Sequence, residues 1–269
     1  LALVGTEGGR VVAFATESGE EVWAYQVKGV VTRAPLIVSG TAFVVDGTNT
    51  VYALDAATGT WKWQYGREQP GEFAVFGEAQ PASEGDVIYF GTSDGELAAL
   101  RLADGQELWR TSLGAKGGQF RDIDADPVIH DGILYAASVS GGLYALDPSN
   151  GQVQWQVPLR GISAMSLHGG DLLLGMASPE VARFNLYSRR ISWRQTYAKD
   201  HGSPGQIRVM GDLAVVALSK GPVYLYNAVT GYELQSFDPG SGFLAPPELT
   251  RQNTLFLMSN QGVLYGLKP

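Results

Sequence analysis

Apolar residues along this chain fall in short runs broken by small and polar ones. One stretch reads "APLIVSG", "TAFVVDG", "TVYALDA" and "TWKWQYG", each rich in Val, Tyr, Phe or Trp and set off by Gly, Asp, Asn or Thr. Such runs are the signature of strands joined by tight turns. No segment carries the 3.6-residue apolar period of a helix, so the pattern predicts an all-β chain.

The runs repeat. "VVAFATESGEEVW", "VYALDAATGTWKW", "LAALRLADGQELW", "LYALDPSNGQVQW" and "VARFNLYSRRISW" align without gaps, and "VYLYNAVTGYELQ" follows the same frame. A turn residue falls at Gly19, Gly59, Gly105, Gly151, Arg189 and Gly231. Four places later stand Trp23, Trp63, Trp109, Trp155, Trp193 and Gln235, at intervals of 40, 46, 46, 38 and 42 residues. Each period reads as four strands. A lone four-stranded sheet cannot bury both faces, whereas sheets packed face to face around an axis can, which predicts a seven-bladed β-propeller of four-stranded blades forming a single domain over residues 1–269.

In that frame the turn glycine permits positive φ, and the Asp or Asn four places earlier can bond the backbone of its own turn. The tryptophan offers a large plane to the next blade, with an N–H that needs an acceptor. Counting strands gives three at the N-terminus, twenty in five full repeats and three at the C-terminus, so two of the twenty-eight are missing. These are the first strand of the first blade and the outer strand of the last. The count leads us to expect native sequence before Leu1.

Charge and composition narrow the function. A net charge of −8 argues against binding to nucleic acid or to an anionic membrane face, since either needs clustered Lys and Arg. The absence of cysteine excludes disulfides, thiolate metal sites and cysteine nucleophiles. No apolar run approaches the 18 residues of a membrane-crossing helix. "GTSDG" at 91–95 has the spacing of a serine nucleophile elbow, but sister copies read "GTEGG" and "DGTNT", which makes Ser93 a hairpin residue. His130, His168 and His201 stand in different copies without metal-ligand spacing.

"QFRDIDADP" sets Asp122, Asp124 and Asp126 at alternate positions. It lacks the glycine and distal glutamate of a calcium loop. If extended, it would put the carboxylates on one side, as an acidic ridge, and Ile123 with Ala125 on the other. From the tryptophan (or Gln235) to the proline opening the next blade there are 12 residues for Trp23 to Pro35 and Gln235 to Pro247. For Trp63 to Pro81 and Trp109 to Pro127 there are 18. Two consecutive connections are thus lengthened and should be neighbours. One carries Phe73, Val75 and Phe76, the other the aspartates; apolar anchors beside a polar row predict a protein-docking patch.

The "ALD-x-x-x-G-x-x-x-W" repeats resemble the pyrroloquinoline-quinone-type propeller repeat. With "FGEAQP", "RDIDADPVIHDGILYA" and "SGFLAPPELTRQNTLFLMSNQGVLYGL", the order of segments resembles the BamB family of outer-membrane assembly lipoproteins over essentially the whole chain. The resemblance implies a non-enzymatic periplasmic scaffold without cofactor or metal. It would be held to the inner leaflet of the outer membrane by an N-terminal lipid anchor outside this chain. Its partners would be the POTRA domains of BamA and unfolded outer-membrane protein substrates. The family's Leu-x-Leu-Arg-Gly contact stretch matches Phe73, Ala74, Val75, Phe76 and Gly77, and its Asp-x-Asp pair matches Asp122 and Asp124. Phe76 stands where the family pattern has arginine, with Arg121 a candidate to supply that charge, and the family has eight blades where this chain shows seven. Two rival readings remain: a sensor or scaffold propeller for another protein or small ligand, and a quinone-dependent dehydrogenase. The latter should bring a vicinal cysteine pair and long insertions.

Overall fold

A computed structural model describes residues 1–66, 79–114, 122–243, 245–250 and 254–268. Among these are twenty-six strands and one 3-10 turn, Lys199–His201. The strands form seven antiparallel sheets, five of four strands and two of three. Within every sheet, consecutive strands are neighbours, the meander of a propeller blade. The three-stranded sheets are the first (Ala2–Gly5, Arg10–Phe14, Glu21–Gln26) and the last (Glu248–Leu249, Leu255–Met258, Leu264–Leu267). The count of twenty-six strands, with three in the first and last sheets, is that read from the repeats. Contacts divide the chain into two compact units, Leu1–Gln156 and Val157–Pro269, with the boundary at the outer strand of the fourth sheet.

The middle strands of the four-stranded sheets are mostly buried on both faces, whereas Leu255–Met258 of the last sheet exposes Phe256 and Met258. In the second sheet Thr41–Val45 and Val51–Asp55 are almost wholly buried, whereas Trp61–Tyr65 buries Trp63 and exposes its neighbours. The third and fourth strands slip register at the same point in five sheets, between Ala13 and Phe14, Ala53 and Leu54, Ala99 and Leu100, Arg183 and Phe184, and Leu225 and Tyr226. A bulge there bends the outer strand and increases its twist.

Neighbouring sheets lock through the recurring tryptophan. In the first unit, the indole N–H groups of Trp23, Trp63 and Trp109 donate to the carbonyls of Ala56 (3.2 Å), Leu102 (3.0 Å) and Pro148 (2.8 Å). In the second unit, Trp193 donates to Ala228 at 3.2 Å. Each acceptor lies in the third-to-fourth strand turn of the following sheet, whose shape Asp55, Asp147 and Asn227 fix by accepting from backbone amides two or three residues on. The glycine of that turn is required twice over. At Gly105, φ is +72°, and a Cβ would stand 2.5 Å from the Trp63 ring. Gly19 shares the φ of +72° but faces no atom within 4 Å.

This difference makes the packing term separable from the backbone term. Gly19→Ala should cost about 1 kcal/mol, the backbone penalty alone. Gly105→Ala should lose several-fold more because the Trp63 ring must move, approaching the roughly 3–5 kcal/mol expected of Trp63→Ala. Denaturant unfolding of the three variants checks the order; equal losses at the two glycines would refute the interlock.

Candidate functional site

Three connections between sheets end in the same way. The residue four places before the blade-opening proline is sunk into the core: Val31 before Pro35, Ile123 before Pro127 and Phe243 before Pro247, all at most 3% exposed. Their amides donate to carbonyls of Thr6 (3.0 Å), Ile123 to Thr92 (3.3 Å), and Phe243 to Leu218 (2.9 Å). The preceding carbonyl accepts from the next sheet, as Val30 does from Gly47 and Asp122 from Val139 at 3.0 Å. Asp122 to Pro127 therefore belong to the regular end of their connection, not to its extra length.

That anchoring decides where the three carboxylates sit. Ile123 and Ala125 are fully buried, as the alternation implies, but Asp122 is itself only 6% exposed. The expected acidic ridge is not what forms, because the peptide joining Asp122 to Ile123 is pinned at both its oxygen and its N–H. Burial raises the Asp122 carboxyl above its ordinary range. Asp124 is pushed up to about 6, first by burial and then by the nearby Asp122 charge, with Arg33 pulling the other way. Its Oδ1 is buried without a hydrogen-bond partner. Asp126 accepts from the Gln80 amide at 2.7 Å, consistent with a local structural role.

Three connections meet here. The Arg33 guanidinium, from between the first and second sheets, donates to the Asp124 backbone carbonyl at 3.5 Å. Gln80 ends the lengthened connection between the second and third sheets, so the Gln80–Asp126 bond ties the two lengthened segments together, as their equivalent places in the repeat require. Phe73, Val75, Phe76 and Arg121 lie outside the described residues. Arg33 and Gln80 were not singled out by sequence. Gln80 has only its place before Pro81 to mark it, and Arg33, 91 residues from Asp124, has no local signal.

Chemically, the cluster offers an acceptor. Asp124 Oδ1 lacks a donor that a backbone N–H or a cationic side chain of a partner could supply. Among the described residues, no group of three His, Asp or Glu side chains is set to hold a metal ion. Ser93 sits in the hairpin between Val87–Gly91 and Glu96–Arg101, where its amide and hydroxyl bond the Asn49 side chain at 3.0 and 2.8 Å. His168 pairs with Asp212 at 3.1 Å and His130 with Asp131 at 3.4 Å, in separate sheets.

Comparison with known proteins places these features in a family. A solved structure of BamB from Moraxella catarrhalis matches 99% of this chain and 81% of its own, with a TM-score of 0.82 at 24% identity, which establishes the β-propeller fold. The outer membrane protein assembly factor BamB of Yersinia pestis is 24% identical over 268 residues, 97% of this chain and 67% of that protein. The dehydrogenase subunit of a quinone alcohol dehydrogenase from Gluconobacter oxydans is 39% identical, but over only 80 residues, 28% of this chain and 11% of that enzyme. That shorter likeness has the reach of about two repeats. The family model described as outer membrane protein assembly factor BamB matches residues 1–195, well over half the chain, and the chain belongs to that family.

Proposed function

We propose that the chain is a non-enzymatic scaffold of outer-membrane protein assembly, working in the periplasm at the inner leaflet of the outer membrane. It docks on the POTRA domains of BamA through its two lengthened connections. One observation carries this reading: the Gln80–Asp126 bond holds the end of the Phe73–Phe76 connection against the Asp122–Asp126 segment. The described end of the connection that carries the apolar residues thus lies beside the segment that carries the polar acceptors. Phe73, Val75 and Phe76 serve as anchors, and Asp122 and Asp124 fix register. Asp124 is part-buried with Oδ1 sealed, so a partner's N–H or lysine reaches its carboxylate only as the connection ends part, and the bond then made favours the bound state. Arg33 supplies positive charge beside it and so sets the local polarity.

The full chain should bind the POTRA domains of BamA, and an Asp122→Ala, Asp124→Ala, Phe76→Ala variant should bind at least about tenfold more weakly while keeping its unfolding midpoint near or above wild type. Wild-type affinity in that variant, measured by interferometry, would remove the docking claim.

Asp124 also makes a prediction about stability. Its folded pKa of about 6 lies above the ordinary carboxyl value, so between about pH 4 and 6 the folded chain holds a proton that the unfolded chain has released. This contribution is present at low pH and lost as pH rises through 6. Asp124→Asn should match wild type near pH 4 and be more stable near pH 8, by on the order of 2 kcal/mol. Denaturant unfolding across that range is the check; a variant less stable at pH 8 would contradict the assignment.

A further inference from the structure

The sixth copy of the repeat departs from the others at the interlock itself: Gln235 stands where five copies have tryptophan. In the second sheet, Trp63 packs in one core with Phe43 and Ala53 of its own sheet and with Ile88 and Leu100 of the third. Trp109 packs in the same way, with Tyr89 and Ala99 of its own sheet and Leu134 and Leu146 of the fourth. The ring therefore has a fixed seat, half of it from each sheet.

Strand register carries that seat into the last two sheets. As Ala53 lies opposite Phe43 and Trp63, Leu225 lies opposite Val215 and Gln235. As Ile88 pairs with Leu100, Leu255 pairs with Leu267. The far half of the seat is thus kept, in Leu255 and Leu267. Both rings of the near half are replaced, by Gln235 and Val215, and Leu225 in the alanine place restores only part of their volume. Trp23 and Trp63 are 8% and 7% exposed, but Gln235 is turned out to solvent. The result is a cavity of about 200 Å³, lined by Leu225, Phe237, Leu255 and Leu267, with the exposed Gln235 and Lys268 at its mouth.

We propose that this seat binds a small planar aromatic molecule of the size of indole. Apolar cavities of roughly 150 Å³ take up benzene, and the larger volume here suits a second fused ring. Leu255 is fully buried and Leu225 nearly so, which gives the ring a dry floor. Phe237, which meets Tyr265 edge-on at 5.1 Å, offers an aromatic wall. At the mouth, the Gln235 carboxamide can accept an N–H, and the Lys268 ammonium can meet the face of a ring. A flat ring is favoured over an aliphatic chain because Leu255 and Leu267 hold the places on which the sister sheets lay an indole.

Indole itself is the probe. Titration calorimetry of the full chain should give a dissociation constant on the order of 0.1–1 mM, the strength expected of so few atoms. Gln235→Trp supplies the ring covalently; it should unfold about 2–4 °C above wild type and bind indole at least about tenfold more weakly. Gln235→Trp combined with Leu225→Ala copies the Trp63 and Ala53 pair and should lose indole binding equally, even if Leu225 leaves the single variant too little room. In wild type, saturating indole should slow amide exchange in Glu233–Phe237 and Leu255–Met258. No binding of indole by wild type, protection only elsewhere, or unchanged affinity in both variants would each overturn the proposal. So would binding of a tryptophan-bearing peptide with none of free indole, which would make the cavity a protein-docking site.

Discussion

A tryptophan ring laid over a glycine of the following sheet is the contact on which the rest of this molecule depends. It joins one sheet to the next by a hydrogen bond from the indole and by an approach too close for any Cβ, seen at Trp23 with Gly59, Trp63 with Gly105 and Trp109 with Gly151, and again at Trp193 with Gly231. Because the contact recurs at one place in the repeat, successive sheets within each unit are set in the same relation. Connections that leave equivalent strands then emerge side by side. The cluster around Asp124 is a product of that regularity: Arg33, Gln80 and Asp126 meet because their sheets are locked, not because they are near in sequence.

Two residues stand out against a scaffold otherwise built for stability. Asp124 keeps a carboxyl in a place that favours its proton, with one oxygen lacking a donor. Gln235 leaves without a ring a place that its sister copies give to tryptophan. The Asp124 choice does not help the fold once the carboxyl ionises. Natural chains accept such losses where binding requires a group that the scaffold would not select.

Much of this was legible in the sequence because it is periodic. The spacing of Gly19, Gly59, Gly105, Gly151 and Gly231 with the tryptophans carried the strand count, the two missing strands and the adjacency of the lengthened connections. What the period could not carry was the setting of single residues. Asp122 reads as the first of three alternating carboxylates, yet its backbone is pinned by Val139, and that bond buries it. The Arg33 to Asp124 contact spans 91 residues, and no local pattern encodes it. Gln235 was visible as a departure from tryptophan, but its meaning needed the register that carries Leu255 and Leu267 into the seat of that ring. The Phe73, Val75 and Phe76 anchors rest on the family motif and on their place in the lengthened connection.

The central claim is that the paired connections of the first unit form the protein-docking face. Hydrogen–deuterium exchange of the full chain, alone and saturated with the POTRA domains of BamA, reads it most directly. Slowed exchange should be confined to peptides covering residues 67–80 and 115–126, with the amides around Arg33 following. Protection confined to the outer strands, such as Trp61–Tyr65 or Glu107–Ser112, with none in those connections, would contradict the account.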